Sequence, residues 1–409
     1  MRRNERWMAL VALSLVALVT AACGDDDGGG SSGEPIKVGV SLPLTGVASQ
    51  PGKAAKQGYE VWKAMVNENG GLIDRRKIEL VIKDDASNQN TVVADYNALI
   101  SRDRVDLLLG TFSSLLNAPA SAAAERNRML FVEPAGGAPE LFERGFRYLF
   151  FAQQSTADHQ GDVWADWVSS LPENQRPKTA AYPTLDDPFA TVTSSGIREK
   201  LEAAGIRTVY QKVYPADTQN MDGIASAVKA SDPAVVVHGA GFDDGVGMIR
   251  AFKKANVKPE LLYQTTAPSL GSQYVDAVGV ESTEGIMYGV SHSPEARTPG
   301  NEEFVAKYRE MFGGDEVPED AADAYAAGQV LEAAVKAVGS VSRDDQLALA
   351  DWLRENEVET ILGPLSWDEA GRPQGEFLVG QWQNGKPEIV LPEAAATTDE
   401  IIPGWMPEN

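Results

Sequence analysis

Between residues 36 and 290 the chain alternates, twice over, between short apolar runs and longer amphipathic stretches, and this rhythm narrows its fold more than any other feature. "IKVGVSL" (36–42) has strand character, and 53–69 reads as a helix stopped by Gly70-Gly71. "KIELVIK" (77–83), "VDLLLG" (105–110) and "MLFVEP" (129–134) follow, with helices centred near residues 96 and 121. The pattern restarts at "KTAAYP" (178–183) and runs through 208–214, "AVVVHGAG" (234–241), "ELLYQTT" (260–266) and "EGIMYGV" (284–290). Strands alternating with helices imply parallel sheets covered on both faces. The expected fold class is therefore α/β, built as two doubly wound parallel-sheet lobes. Helices return at 301–312, 320–339 and 343–355, and the chain then breaks into short β segments with Asn384-Gly385 as a hairpin turn. With 43% hydrophobic residues in 409, the chain can fill two separate cores.

The first 35 residues stand outside this rhythm. Arg2, Arg3 and Arg6 precede an uncharged, mostly apolar run from 7 to 22, the layout of a secretory signal. The run is shorter than the roughly 20 residues that a spanning helix requires. It closes on Thr20-Ala21-Ala22-Cys23, which resembles a bacterial lipobox with Thr20 where leucine is more usual. Residues 1–22 are thus expected to be a signal peptide, Cys23 a lipidation site, and 23–35 a flexible tether to the outer face of a membrane. Cys23 is the only cysteine, so no intramolecular disulfide supports the fold. The formal charge is −23, and loss of three leader arginines against Glu5 alone makes the remainder more acidic still. Such a surface disfavours nucleic acid, which is bound through basic patches.

Few residues suit catalysis. His159, His238 and His292 are scattered, none with a second ligand at metal-like spacing, and no G-x-S-x-G nucleophile elbow sits between a strand and a helix. No catalytic residue, metal site or cofactor is expected. The pairs Asp84-Asp85, Asp186-Asp187 and Asp243-Asp244 read as solvated loop charge. Gly239, Gly241 and Gly245 follow a strand and open a helix, but their spacing is G-x-G-x-x-x-G, and Asp243 and Asp244 occupy the place of a pyrophosphate. A turn at the carboxyl end of a parallel strand is the simpler reading, and in open α/β sheets that is where small ligands approach. By the same logic "GTFSS" (110–114) offers the Ser113 and Ser114 hydroxyls and free N–H groups, and "EPAGGAPE" (133–140) offers backbone at Ala135, Gly136 and Gly137.

With these turns in place, the segments "IKVGVSLPLTG", "NENGG", "KIELVIKDDASN", "LLLGTFSS", "EPAGGAPELFERGFRYLF" and "ILGPLSWDEAGRPQGEFLVGQW" can be read in order. From 36 to about 390 the chain resembles the periplasmic binding proteins typified by the leucine/isoleucine/valine-binding components of ABC importers. The resemblance implies a type I periplasmic binding protein: two lobes joined by a three-crossing hinge, 36–153 with 290–377 as lobe 1 and 154–289 with 378–409 as lobe 2. It implies a monomer that serves a permease and its ATPase subunits and performs no chemistry.

In amino-acid-binding members a serine and a threonine of the first lobe hold the ligand carboxylate, and an acidic residue of the second lobe holds the ammonium. The resemblance places Ser114 at the serine position, Gly137 at the threonine position and Thr266 near the acidic position. It also places Phe189 at an aromatic that covers the ligand, Gly241 or Phe242 at another aromatic position, and Gln50-Pro51 where a first-lobe aromatic is common. The missing acid leaves the solute open between an amino acid held by other groups and an aromatic or carboxylic acid or amide. A ligand-sensing receptor is the alternative role, and an enzyme on the same fold a third.

Overall fold

The computed structural model describes residues 33–402 together with Gly404 and Trp405. The proposed leader, Cys23 and nearly all of the tether lie outside the described residues.

The first sheet is built from β1 (Ile36–Leu42), β2 (Ile78–Asp84), β3 (Leu107–Leu109), β4 (Phe131–Glu133) and β5 (Leu149–Phe151). All five are parallel, in the order β2-β1-β3-β4-β5. The helices α1 (Ser49–Glu68), α2 (Gln89–Ser101) and α3 (Ser114–Arg126) connect them. β1 is buried along nearly its whole length, which is why its apolar residues do not alternate with polar ones.

The chain then enters the second unit through α4 (Asp162–Ser170), β6 (Thr179–Leu185), α5 (Pro188–Ala203), β7 (Arg207–Tyr214), α6 (Asp222–Ser231), β8 (Val235–His238), α7 (Phe242–Ala255) and β9 (Leu261–Gln264). Two short helices, α8 (Ser272–Val278) and α9 (Val280–Thr283), lead to β10 (Met287–Val290). After β10 the chain returns to the first unit as α10 (Asn301–Phe312), α11 (Glu319–Val338), α12 (Gln346–Glu355) and a small ladder of β11 (Val358–Thr360) with β12 (Gly363–Leu365). It crosses a third time to form β13 (Leu378–Gln383) and β14 (Lys386–Leu391).

The second sheet runs β14-β13-β10-β9-β8-β6-β7. Its five parallel strands repeat the order of the first sheet, and β13 and β14 extend it antiparallel beyond β10. The second sheet is therefore mixed rather than wholly parallel. Asn384 and Gly385, both at positive φ (54° and 73°), form the turn between β13 and β14 that the sequence predicts.

Each sheet is covered on both faces. One face of the first packs on α1, α10, α11 and α12, including Trp62, Tyr59 and Leu331, and the other on α2 and α3 around Tyr96 and Leu116. The second sheet sits between α6, α7 and α8 around Phe252 and α4 and α5 around Trp164. Burying one such large apolar side chain contributes roughly 1.5–3 kcal/mol, so four layers of this kind replace any need for disulfides. α1 and α11 approach so closely that a Cβ on Gly58 would lie 2.0 Å from the Ala321 carbonyl oxygen. That contact sets the first turn of α11 at the gap between the sheets.

The crossings are laced together where they meet. Gln154, after β5, donates from Nε2 to the carbonyls of Ser291 (2.7 Å) after β10 and Leu362 (3.3 Å) beside β12.

A candidate solute site between the two sheets

In both sheets the topological switch lies between the first strand and the third, and there the turns after neighbouring strands diverge and leave a crevice. The four turns concerned, after β1, β3, β6 and β8, contribute Pro51, Ser114, Phe189 and Gly241 respectively to a single cavity of about 370 Å³. This volume suits a small organic molecule.

The first-lobe wall is held from behind. Glu133, at the end of β4, is buried, and its Oε2 accepts from Ala135 N (2.9 Å), Gly136 N (2.5 Å) and Asn117 Nδ2 (2.9 Å). Its Oε1 has no partner. Burial pushes the Glu133 carboxyl up to about 8, against the opposing pull of those backbone N–H groups. A Cβ on Gly110 would stand 2.1 Å from the Glu133 Cβ, so the glycine of "GTFSS" makes room for this carboxyl. Asp85, read from sequence as solvated, is instead fully buried, accepting from Ser87 N (2.9 Å) and Thr111 Oγ1 (3.1 Å). It spans β2 and the β3 turn, which is why it leaves solvent. The Ser114 hydroxyl accepts from Ala138 N at 3.0 Å, joining the two first-lobe turns while keeping its own proton to donate.

The second-lobe wall rests on a polar chain. Gln264 Nε2 lies 2.9 Å from His238 Nδ1, His238 Nε2 lies 2.7 Å from the Tyr214 hydroxyl, and that hydroxyl donates to Asp244 Oδ2 at 2.5 Å. The hydrogen bonds close if His238 is neutral with its proton on Nε2. Burial lowers the imidazole to about 4, which favours that form. Asp244 also accepts from Gly241 N at 2.9 Å, so the Asp243-Asp244 pair includes a buttress for the turn rather than only loop charge. Thr265 Oγ1 clamps the same turn from the next strand, accepting from Ala240 N (2.7 Å) and donating to its carbonyl (2.8 Å). Asp187 caps α5 by accepting from Phe189 N (2.9 Å) and Ala190 N (3.1 Å).

Of the residues singled out from sequence, Ser113, Ser114, Ala135, Gly137, Phe189, Gly241, Phe242 and Thr266 line the cavity. Ser113 and Thr266, one from each lobe, hold positive φ (70° and 53°), an uncommon state for a side-chain-bearing residue that tends to collect at functional sites. Two of the expected residues lie elsewhere. Gln50 is exposed and does not line the cavity; it sits in the first turn of α1, and Pro51 faces the site instead. Gly136 is buried against the Glu133 carboxylate, which a Cβ would approach to 2.6 Å, and does not line the cavity either.

The sequence reading missed the charged wall. Glu319, Asp320 and Asp323, on the first two turns of α11, all line the cavity, and among the described residues no lysine, arginine or histidine does. The available signal was Asp323 itself, an acid embedded in the alanine-rich run "AADAYAAG" (321–328) of a helix that must pack on a sheet. Burial raises all three carboxyls, Asp320 to about 7 with the Glu319 charge adding to the effect.

Residues 35–387 match the periplasmic binding protein family. The chain belongs to that family. It is a family of binding proteins, not enzymes. This periplasmic binding protein is 27% identical over 364 residues to the Leu/Ile/Val-binding protein of Escherichia coli (strain K12), covering 85% of this chain and 91% of the relative. It is 26% identical over 416 residues to the Leu/Ile/Val-binding protein homolog 7 of Brucella suis biovar 1 (96% and 99% covered). Among solved structures, the branched-chain amino acid transporter substrate binding protein LivJ of Streptococcus pneumoniae, in complex with isoleucine, superposes with a TM-score of 0.74 at 20% identity (88% and 100% covered). An ABC transporter solute binding protein of R. palustris, in complex with benzoate, superposes with a TM-score of 0.73 at 21% identity (90% and 99% covered). The two-lobe α/β fold of this periplasmic binding protein is theirs.

Proposed function

We propose that this chain is the solute-capturing lipoprotein of an ABC importer, tethered through Cys23 to the outer face of the cell membrane and working as a monomer beside a permease and its ATPase subunits. Its solute is a small polar molecule, an amino acid or a related organic acid or amide. One observation carries the reading: the two sheets present their switch-point turns to one shared cavity, with hydroxyls and uncapped N–H groups of α3 on one side and Phe189 and Phe242 on the other. The names of the relatives point the same way, toward Leu/Ile/Val binding in E. coli and benzoate in one structural neighbour.

The mechanism is capture without chemistry. Solute settles on the first-lobe turns, where the start of α3 favours an anionic or polar group. The segments 154–289 and 378–409 then swing as lobe 2 against lobe 1 (36–153 and 290–377), bringing the aromatic wall over the solute and expelling water. Val47 and Leu115, exposed at the cavity rim, are the apolar residues that such closure covers.

Mass spectrometry of the protein purified under native conditions, before and after incubation with amino acids, organic acids and amides, tests this. Retention of one intact, chemically unchanged solute per chain, weakened by Ser114→Ala, is the expected result. Recovery of a converted product, or binding indifferent to both Ser114→Ala and Phe189→Ala, contradicts it.

A further inference from the structure

We propose that the solute carries a cationic group, a primary ammonium or a guanidinium, and that Asp320 at the start of α11 receives it. This rests on the cavity being the solute site, and it names what the site selects.

The charge balance of the cavity is one-sided. Its lining includes the acidic residues Asp187, Glu319, Asp320 and Asp323, with no cationic side chain among the described residues to answer them. Three of these carboxyls are spoken for. Asp187 caps α5. Glu319 Oε1 accepts from Ser291 N (2.5 Å) and Oγ (2.9 Å). Asp323 meets Ser291 Oγ at 2.6 Å and Gln153 Nε2 at 2.7 Å. Among the described residues Asp320 alone of the four has no hydrogen-bond or ion-pair partner, yet it lies on the cavity wall one turn before Asp323 and on the same helix face.

A helix dipole favours acids in a first turn, which is sufficient reason for Glu319 or Asp320 to be acidic but not for Asp320 to face a shared cavity without a donor. Ser155 gives independent support. It is only 6% exposed and lines the same cavity, and among the described residues its hydroxyl has no hydrogen-bonding partner. Gln160, also lining the cavity, has a buried Oε1 with no donor. A carboxylate and a buried carbonyl oxygen lacking donors call for a ligand that brings N–H groups, and an ammonium or guanidinium brings them together with the missing charge. The three α11 carboxyls are not arranged as a metal site, since among the described residues no group of three or more acids, histidines or cysteines could hold a metal ion.

In this arrangement the cation partner comes from the first lobe, not from the second-lobe position that Thr266 occupies. An α-amino acid would then lie with both its charged groups on lobe 1, its carboxylate at the 110–114 turn and its ammonium at α11. Lobe 2 would add the aromatic cover.

The test is calorimetric titration of wild type and Asp320→Asn with matched probes: the proteinogenic amino acids, the same molecules without the amine, and the same molecules without the carboxylate. Amine-bearing probes are expected to bind, and Asp320→Asn to weaken them about tenfold or more. Melting of the unliganded proteins gives a second readout. Asp320→Asn is expected to melt higher than wild type at neutral pH, because an unpaired carboxyl facing the cavity is removed, whereas a residue needed only for folding would melt lower. Preferential binding of the amine-free acids, with Ser114→Ala weakening them, would overturn the cation inference and leave the cleft reading intact. Failure of every amine-bearing probe to bind, or unchanged amine affinity in Asp320→Asn, would also overturn it. Binding insensitive to Ser114→Ala and Phe189→Ala would instead count against the cleft.

Discussion

Ser291 Oγ lies 2.6 Å from Asp323 Oδ1 and 2.9 Å from Glu319 Oε1, so one hydroxyl stands between two carboxyls. A serine hydroxyl carries one proton, and only one of the two can receive it. The other must hold a proton of its own and donate back to the serine oxygen. Asp323 is that acid: burial, with the Glu319 charge adding, holds its carboxyl well above the ordinary range. Ser291 follows β10 on the second crossing between the lobes, and Gln153, which donates to Asp323 Oδ2 at 2.7 Å, lies on the first. The acidic wall of the cavity is therefore bonded to two of the three crossings.

Asp323→Asn reproduces the protonated acid, with its amide donating to Ser291 and its oxygen accepting from Gln153. It should change stability by less than about 1 kcal/mol, while Asp323→Ala strands both partners and should cost roughly 1–3 kcal/mol. Urea unfolding of the two variants checks the difference, and equal losses would remove the argument for a neutral Asp323.

Glu133 makes stability depend on pH. Its folded-state value, about 8, lies above the ordinary 4.5. An acid shifted upward on folding contributes stability that is fully present below about 4.5 and is lost as pH rises through about 8. Glu133→Gln keeps an acceptor for the three donors to Oε2 and cannot ionise. At about pH 9 it should be more stable than wild type by an amount on the order of a few kcal/mol, with its stability profile flattened between those limits. A profile identical to wild type would show that Glu133 ionises freely in the fold.

Gly110→Ala should destabilise strongly, by roughly 3 kcal/mol or more, because its Cβ would stand 2.1 Å from that of Glu133 and 2.6 Å from the Glu133 Cα, which cannot swing away. Gly223, which has nothing within 4 Å of its Cβ position and lies in α6, is the control. Gly223→Ala should be neutral or stabilising by up to about 1 kcal/mol. Thermal melting of the pair distinguishes a packing requirement from a general cost of losing glycine.

Tyr214→Phe removes the hydroxyl between His238 and Asp244. The loss should be roughly 1–3 kcal/mol, from leaving the His238 Nε2 proton and one Asp244 oxygen without their shared partner. Because Asp244 also holds Gly241 N, amide exchange across 239–242 should accelerate. Unchanged exchange there would show that Thr265 alone secures the turn.

The strand and helix rhythm was legible because the inner strands of a doubly wound sheet are buried on both faces and its helices on one, which leaves distinct periods in the sequence. The helix Asn301–Phe312 coincides with its expected span, and α11 differs by a single residue at each end. What escaped was short or non-local. β11 and β12 form a two-stranded ladder apart from both main sheets, so neither carries a fully buried apolar run like those of β3 and β4. Among the residues that line the cavity, Ser114 and Gly241 were legible because a strand end and a helix start announce a turn. Phe189 and Thr266 came only from resemblance. Asp320 was illegible because its place depends on α11 packing against α1 through Gly58 and Ala321, a contact between segments some 260 residues apart along the chain.

A structure of the protein with the tightest-binding member of the matched probe set tests the central claim most directly. The account predicts the intact solute enclosed by both lobes, with polar groups at the 110–114 turn, an N–H-bearing cation against Asp320 and Phe189 over its apolar part. A solute seated outside that cavity, held by one lobe alone in a fully closed protein, or chemically transformed, would contradict it.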